Sequence, residues 1–280
     1  MKKYLLLALT LFFVQNSFAQ NDNFNATLWT QVSAEFRALT LQTYKNATKN
    51  LESALKDKNW SAEISQREGF EDLTPCVILD IDETVLDNSN YQGQLVLDNS
   101  SYATKTWDKW IKMAKATEVK GALNFVKEAK EMGITVFYLT NRKCIERDDL
   151  ACPQELETIK NLETLGFPKV KKEEILLRYE REEWGSEKIS RRQEIAKDYR
   201  VLMLFGDDLG DFIPEVKKKI TFEQRFELVE NFNDYWGEKW FILPNPTYGS
   251  WLGILGKNKS EFLKGYKTNS EMEQSSDEKN

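Results

Sequence analysis

The chain has 280 residues, enough for one large domain or two small ones. Its apolar fraction (41%) and charged fraction (30%) are ordinary for a soluble globular protein, and a net charge of −6 argues against a basic nucleic-acid-binding surface. It contains no histidine, which excludes Ser-His-Asp triads, phosphohistidine intermediates and histidine zinc sites, and leaves catalysis to carboxylates, lysine, hydroxyls or a hard cation.

At the start of the chain, Lys2 and Lys3 precede an apolar run from Tyr4 to Val14, and Ser17-Phe18-Ala19 places small residues at the positions a signal peptidase reads. This predicts a secretory signal over residues 1–19, cleaved after Ala19, because the run is shorter than the about 20 residues a membrane span needs. No cysteine follows the run, so a lipid anchor there has no support, and the expected location is periplasmic or secreted. Leu28, Val32, Phe36 and Leu39, then Tyr44, Ala47, Leu51 and Leu55, recur at helical spacing. They predict one or two amphipathic helices in a segment, 20–70, packed on the core.

Five short apolar runs then read as buried strands: Cys76–Leu79, Ile134–Leu139, Ile175–Leu177, Val201–Phe205 and Trp240–Leu243. Helical faces lie between them. Ala122, Phe125, Val126, Ala129 and Met132 form one, stopped by Gly133. Leu156, Ile159, Leu162 and Leu165 form another, stopped by Gly166. Strands alternating with helices predict an α/β fold, a doubly wound parallel five-stranded sheet covered on both faces, over residues 71–265. A stretch at about 87–120 lacks this rhythm, carries Trp107 and Trp110, and is expected to be a cap insertion over the site. Residues 266–280 are almost free of apolar side chains and are expected to be a disordered tail. Of three cysteines, Cys76 sits in an apolar run. Cys144 and Cys152 are spaced for a loop-closing disulfide in an oxidising compartment, with three free thiols as the alternative.

Ligands of open parallel sheets bind beyond the carboxyl ends of the strands. Three predicted strands run straight into reactive residues: Asp80-Ile81-Asp82-Glu83-Thr84, Thr140-Asn141-Arg142, and Gly206-Asp207-Asp208-Leu209-Gly210-Asp211. If these strands are neighbours, several carboxylates and a hydroxyl converge. Such carboxylates repel one another unless a cation intervenes, and an all-oxygen ligand set favours Mg²⁺. Any one of these residues alone is more often a cap or turn residue. The signal is their conjunction, in order, after strands.

Asp80-x-Asp82-x-Thr84, Thr140-Asn141-Arg142, Lys188 and Gly206-Asp207-x-x-x-Asp211 resemble the four ordered motifs of haloacid dehalogenase (HAD) superfamily phosphatases. More narrowly, the chain resembles the bacterial class C acid phosphatases, the outer-membrane lipoprotein acid phosphatase and 5′-nucleotidase family. Ser33 to Leu39 resembles that family's leading helix. LDIDETVLDNS (Leu79 to Ser89) is close to its first motif, and Leu243-Pro244-Asn245-Pro246-Thr247-Tyr248-Gly249 resembles its C-terminal segment. The family's lipoproteins carry an acylated cysteine that this chain lacks.

The resemblance implies a secreted acid phosphatase that hydrolyses phosphate monoesters, 5′-nucleotides in particular, with nicotinamide mononucleotide among them. Asp80 is then the nucleophile and Asp82 the general acid and base. Thr140 and Lys188 bind the phosphoryl oxygens. Mg²⁺ is held by Asp80, the Asp82 backbone carbonyl and Asp207, with Asp211 a ligand through water or a residue that orients the others. Lys197 and Arg191 compete with Lys188 for its role. Asn141 and Arg142 are candidate substrate contacts, Arg142 with a structural role as the alternative. An Asp at position 82 suits an alcohol leaving group, which a dehalogenase does not produce. Trp107 and Tyr248 align with aromatic positions that sandwich a base or nicotinamide ring in the resembled family. Tyr91, Trp110 and Trp251 are secondary candidates, and for Trp110 and Trp251 core packing is the favoured reading. The resemblance also implies a homodimer. The readings it competes with are a general phosphomonoesterase or phosphotransferase, and a non-enzymatic binding or storage protein on the same fold.

Overall fold

The computed structural model describes residues 23–266; the expected signal segment, 1–19, and the expected tail, 266–280 apart from Tyr266, lie outside them. Helices α1 (Phe24–Val32) and α2 (Ala34–Lys56) meet at Ser33, whose backbone is extended and whose hydroxyl caps α2 by accepting the Phe36 N–H at 3.0 Å. That break resets the helical phase. The buried stripe of α2 is Phe36, Thr40, Tyr44, Ala47, Leu51 and Ala54, one residue every three or four. The stripe expected through Leu28, Val32 and Leu39 is therefore not continuous with it, and these three are exposed by 44%, 70% and 41%.

Strand β1 (Thr74–Leu79) is followed by the insertion: β2 (Leu86–Asp87), α3 (Ser89–Leu97), α4 (Thr104–Met113) and β3 (Thr117–Glu118), with β2 and β3 antiparallel. Then come α5 (Ala122–Glu131), β4 (Thr135–Lys143), α6 (Pro153–Thr164), β5 (Ile175–Arg178), α7 (Ile189–Ala196), β6 (Tyr199–Gly206), α8 (Phe222–Asn231), β7 (Trp240–Ile242) and α9 (Ser250–Gly253). The main sheet has the order β5-β4-β1-β6-β7, with every neighbouring pair parallel. The five expected strands are these five.

Successive side chains of a strand face opposite sides, and β1 shows it. Val77 and Leu79 enter a core with α2, α5 and α6, through Leu51, Phe125 and Leu162. Cys76 and Ile78 enter a second core with Ile195 of α7 and Phe212, Val216 and Trp240. On α6 the apolar periodicity is an incomplete guide. Leu156 is 55% exposed, while Gln154, Thr158 and Asn161 are buried because each is hydrogen-bonded across to a neighbouring segment. Cys144 and Cys152 are joined as a disulfide, and Cys76 is a buried free thiol.

The chain winds from β1 outward through β4 to β5, then returns across to β6 and β7. The direction of winding reverses at β1, so the carboxyl ends of β1, β4 and β6 flank the crevice where such sheets bind ligands. No helix among the described residues is long and apolar enough to cross a membrane.

Candidate active site

The backbone beyond β1 stays tied to the sheet, since the Asp80 N–H donates to the Phe205 carbonyl at 3.0 Å. The chain then turns back on itself. Val85 and Leu86 both donate to the Ile81 carbonyl at 2.8 Å, and Glu83 adopts a φ of 59°. Asp80 and Asp82 project from this turn. From β6 come Asp207 and a short 3-10 turn over Leu209–Asp211, capped by Asp208, whose Oδ1 accepts the Gly210 N–H at 2.8 Å. From the start of α7 comes Lys188, which is 3% exposed.

Oxygens of Asp80, Asp207 and Asp211 lie within 4.8 Å of one another. Lys188 Nζ forms ion pairs with Asp80 and, at 2.7 Å, with Asp211. Burial and mutual repulsion leave the cluster short of positive charge. Burial lifts the Asp80 carboxyl to about 7; Lys188 opposes the rise, and Asp211 and Asp82 add to it. Asp207 is pushed well above the carboxylate range by burial and by Asp80, Asp211 and Glu83, against a hydrogen bond from Asn245 Nδ2 at 2.7 Å. Burial works against the Lys188 ammonium, but Asp211 and Asp80 more than offset it and hold its pKa above the ordinary value. Three converging carboxylates, one lysine and no histidine or thiolate ligand among them fit a hard divalent cation.

Asp82 is held apart from this cluster. Arg142 donates to its Oδ1 from Nη2 at 2.7 Å and from Nε at 3.1 Å. Asn88 Nδ2 donates to Oδ1 at 3.0 Å, and the Thr140 hydroxyl to Oδ2 at 3.3 Å. Arg142 is 2% exposed and also donates to Thr158 at 3.0 Å, so its guanidinium is taken up by protein partners although it lines the cavity. Asn141 donates to the Ser186 carbonyl at 3.1 Å and accepts from Arg191 at 2.8 Å. Arg191 also donates to the Thr140 carbonyl, so it supports this loop, and Lys197 is paired with Glu194 on the surface. Of the three cations considered, Lys188 alone makes an ion pair with the carboxylate cluster.

Above the carboxylates lies a cavity of about 810 Å³, lined by Asp80, Asp82, Asn141, Arg142, Lys188, Asp207 and Asp211, and by Trp107 and Tyr248. Tyr91 is not among the lining residues. It is buried behind Trp107, with ring centroids 4.9 Å apart, and its hydroxyl bonds Thr106. Trp110 is half-buried against the main core, as expected, but Trp251 lines the cavity at 40% exposure and is no core residue. A second groove of about 840 Å³, between α2 and the β7 edge, has no acidic lining residue.

Sequence reasoning assigns no role to Asn88, Asn245 or the Glu63–Arg192 pair. Asn245 follows β7 as the first residue after Leu243 and Pro244, so the rule that picks out Asp80 also reaches it. It holds Asp207 and accepts from both Thr247 N–H and hydroxyl, which shapes the turn carrying Tyr248. Glu63 and Arg192 form a buried pair at 2.7 Å, and Arg192 also donates to the Asp211 carbonyl. Nothing local in the sequence marks a pair 129 residues apart.

A doubly wound sheet with aspartates on the loops after β1 and β6, a threonine in the carboxyl-terminal part of β4 and a lysine before α7 is the haloacid dehalogenase arrangement. Residues 12–251 match the model of the HAD superfamily, subfamily IIIB (acid phosphatase), and the chain belongs to that family. It is similar to the solved class C acid phosphatase from Bacillus anthracis, with 32% identity over 88% of this chain and 98% of that one, and a TM-score of 0.73. A structure of class C acid phosphatase from Bacillus anthracis with tungstate bound matches with the same figures. Acid phosphatase 1 of Solanum lycopersicum is 25% identical over 183 residues, covering 61% of this chain and 57% of its own. The match thus spans little more than half the length of the tomato protein.

Proposed function

We propose that this chain is an exported, Mg²⁺-dependent phosphomonoesterase that acts on 5′-nucleotides through an aspartyl-phosphate. The observation that carries the reading is Asp80. It is buried at the carboxyl end of β1, paired with Lys188, and stands beside Asp207 and Asp211. Family membership supports the reaction class, and the tungstate bound to the Bacillus anthracis relative is a tetrahedral oxyanion like phosphate.

A carboxylate oxygen of Asp80 attacks phosphorus, and the bond from phosphorus to the ester oxygen breaks. Asp82 gives its proton to the departing alkoxide. Asp82 then takes a proton from water, whose oxygen attacks phosphorus. The bond to Asp80 breaks, which frees the carboxylate and inorganic phosphate. The Thr140 hydroxyl and the Lys188 ammonium donate to the non-bridging oxygens and stabilise their charge. Asp80, Asp207 and the Asp82 carbonyl would hold Mg²⁺, with Asp211 a ligand through water or a residue that orients the others, and the ion would supply positive charge toward a phosphate oxygen.

Trp107 and Tyr248 line the same cavity as the carboxylates, where they would take the ring of a nucleotide by stacking. The Cys144–Cys152 disulfide supports an oxidising, exported location. A phosphate-release panel tests the substrate reading, comparing 5′-nucleotides, 3′-nucleotides and sugar phosphates with and without Mg²⁺. Preference for 5′-nucleotides that vanishes on chelation supports it. Equal rates across the panel, or full activity after exhaustive chelation, contradict it.

A further inference from the structure

We infer that Asn88 is a positioning residue for Asp82, and that Trp110 of the insertion fixes Asn88 in that role. The inference rests on the phosphatase reading above, in which Asp82 is the general acid.

The side chains bonded to the Asp82 carboxylate are all donors. Its two oxygens are held unequally. Oδ1 accepts from Arg142 Nη2 at 2.7 Å, Asn88 Nδ2 at 3.0 Å and Arg142 Nε at 3.1 Å. Oδ2 accepts only Arg142 Nε at 3.2 Å and the Thr140 hydroxyl at 3.3 Å. Oδ1 is thus the anchored oxygen, and Oδ2 is the one left to meet the ester oxygen of a substrate. Asn88 is the only contact of Oδ1 besides Arg142 among the described residues.

An amide presents a donor and an acceptor of nearly the same shape, so a third group must decide which of them faces Asp82. Trp110 decides it. An indole N–H can only donate, and Trp110 Nε1 reaches Asn88 Oδ1 at 2.8 Å. That contact turns Nδ2 toward Asp82. Two further bonds fix the rest of the residue: Nδ2 also reaches the Leu86 carbonyl at 3.1 Å, and the Asn88 N–H donates to Glu83 Oε1 at 3.0 Å. Asn88 is fully buried, so water does not compete for these groups. Trp110 lies on α4 one turn beyond Trp107, which lines the cavity. A single helix of the insertion therefore carries a candidate ring contact and the group that aligns the acid. When α4 is seated, Asp82 is aligned.

Leaving-group dependence separates this role from a merely structural one. The alkoxide of glycerol phosphate needs a proton as it departs, and dinitrophenolate does not. Asn88→Ala should lower kcat/KM for glycerol phosphate by about 10-fold or more, part of the 10²–10⁴ that general acid catalysis supplies, and leave dinitrophenyl phosphate nearly unchanged. Trp110→Phe keeps the ring, removes only the N–H, and should show the same split to a smaller degree, which keeps the test open if the alanine variant folds poorly. Asp82→Asn calibrates the assay with the largest split. Equal losses on both esters, or no loss on either, in the folded variants overturn the positioning role. No split in Asp82→Asn itself overturns the acid reading beneath it, and the inference falls with it. Failure of wild-type protein to hydrolyse either ester overturns the phosphatase reading.

Discussion

The close approach of Asp211 to the end of β6 can be tested with one methyl group. A Cβ at Gly206 would lie 2.6 Å from the Asp211 Cγ and nearer still to its Cβ and Oδ2. Ordinary carbon contacts are about 3.5–4.0 Å, so the Asp211 carboxyl must withdraw by about 1 Å in Gly206→Ala. Its Oδ2 now accepts the Asp208 N–H at 3.1 Å and its Oδ1 pairs with Lys188 at 2.7 Å, and a shift of that size strains both. Overpacking of this kind costs about 1–3 kcal/mol, and for a domain of this size each kcal/mol lowers Tm by about 2–4 °C. A displaced carboxylate beside a metal should also weaken Mg²⁺ binding by about 10–100-fold. Thermal melts and calorimetric titration of metal-stripped protein with Mg²⁺ measure both effects. Wild-type affinity in a variant of wild-type Tm would show that the approach of Asp211 to Gly206 does not matter.

Breaking the buried pair with Glu63→Gln should cost about 3–5 kcal/mol in chemical denaturation, because Arg192 is left charged and under-compensated; a loss below about 1 kcal/mol would mean the pair is dispensable. In metal-free protein, Asp80 titrates near 7 when folded and near 4 when unfolded. The folded state therefore binds more protons in that window, and stability should fall as pH rises from about 4 to about 7, with Asp207 adding in the same direction. Saturating Mg²⁺ should remove or reverse that slope in melts across pH, and the same falling slope with and without Mg²⁺ would remove the metal from this cluster. Trp107→Ala or Tyr248→Ala should lower kcat/KM for 5′-nucleotides by about 1–3 kcal/mol of lost stacking and leave a small ester nearly untouched. Equal losses on both substrates would make these rings supports of the fold.

The strands of the sheet and the carboxylates at their ends are legible in the sequence because both signals are local. A strand buried on two faces is a continuous apolar run, and Asp80 and Asp207 are the first charges after such runs. The helical phase across Ser33 is not legible in that way, because one extended residue undoes a periodicity that looks continuous on paper. The buried polar face of α6 is hidden for a related reason. Gln154, Thr158 and Asn161 are inside because of partners on other elements, which no period of 3.6 records. Arg142 and Asn88 share that difficulty. The clamp on Asp82 joins residues 60 positions apart and a loop residue six positions on, and only the fold brings them together. Tyr91 and Trp251 show how little an aromatic reveals alone, since the first faces inward behind Trp107 and the second faces the cavity.

The central claim is that Asp80 carries the phosphoryl group. Rapid acid quenching during turnover of a labelled phosphate ester, followed by borohydride reduction and peptide mapping, reads this directly. The account predicts label on the protein before the quench is reduced, and the reduced alcohol at position 80, with neither in Asp80→Asn. Phosphate release by wild-type protein with no labelled enzyme at any time after mixing, or label on a different residue, would contradict it.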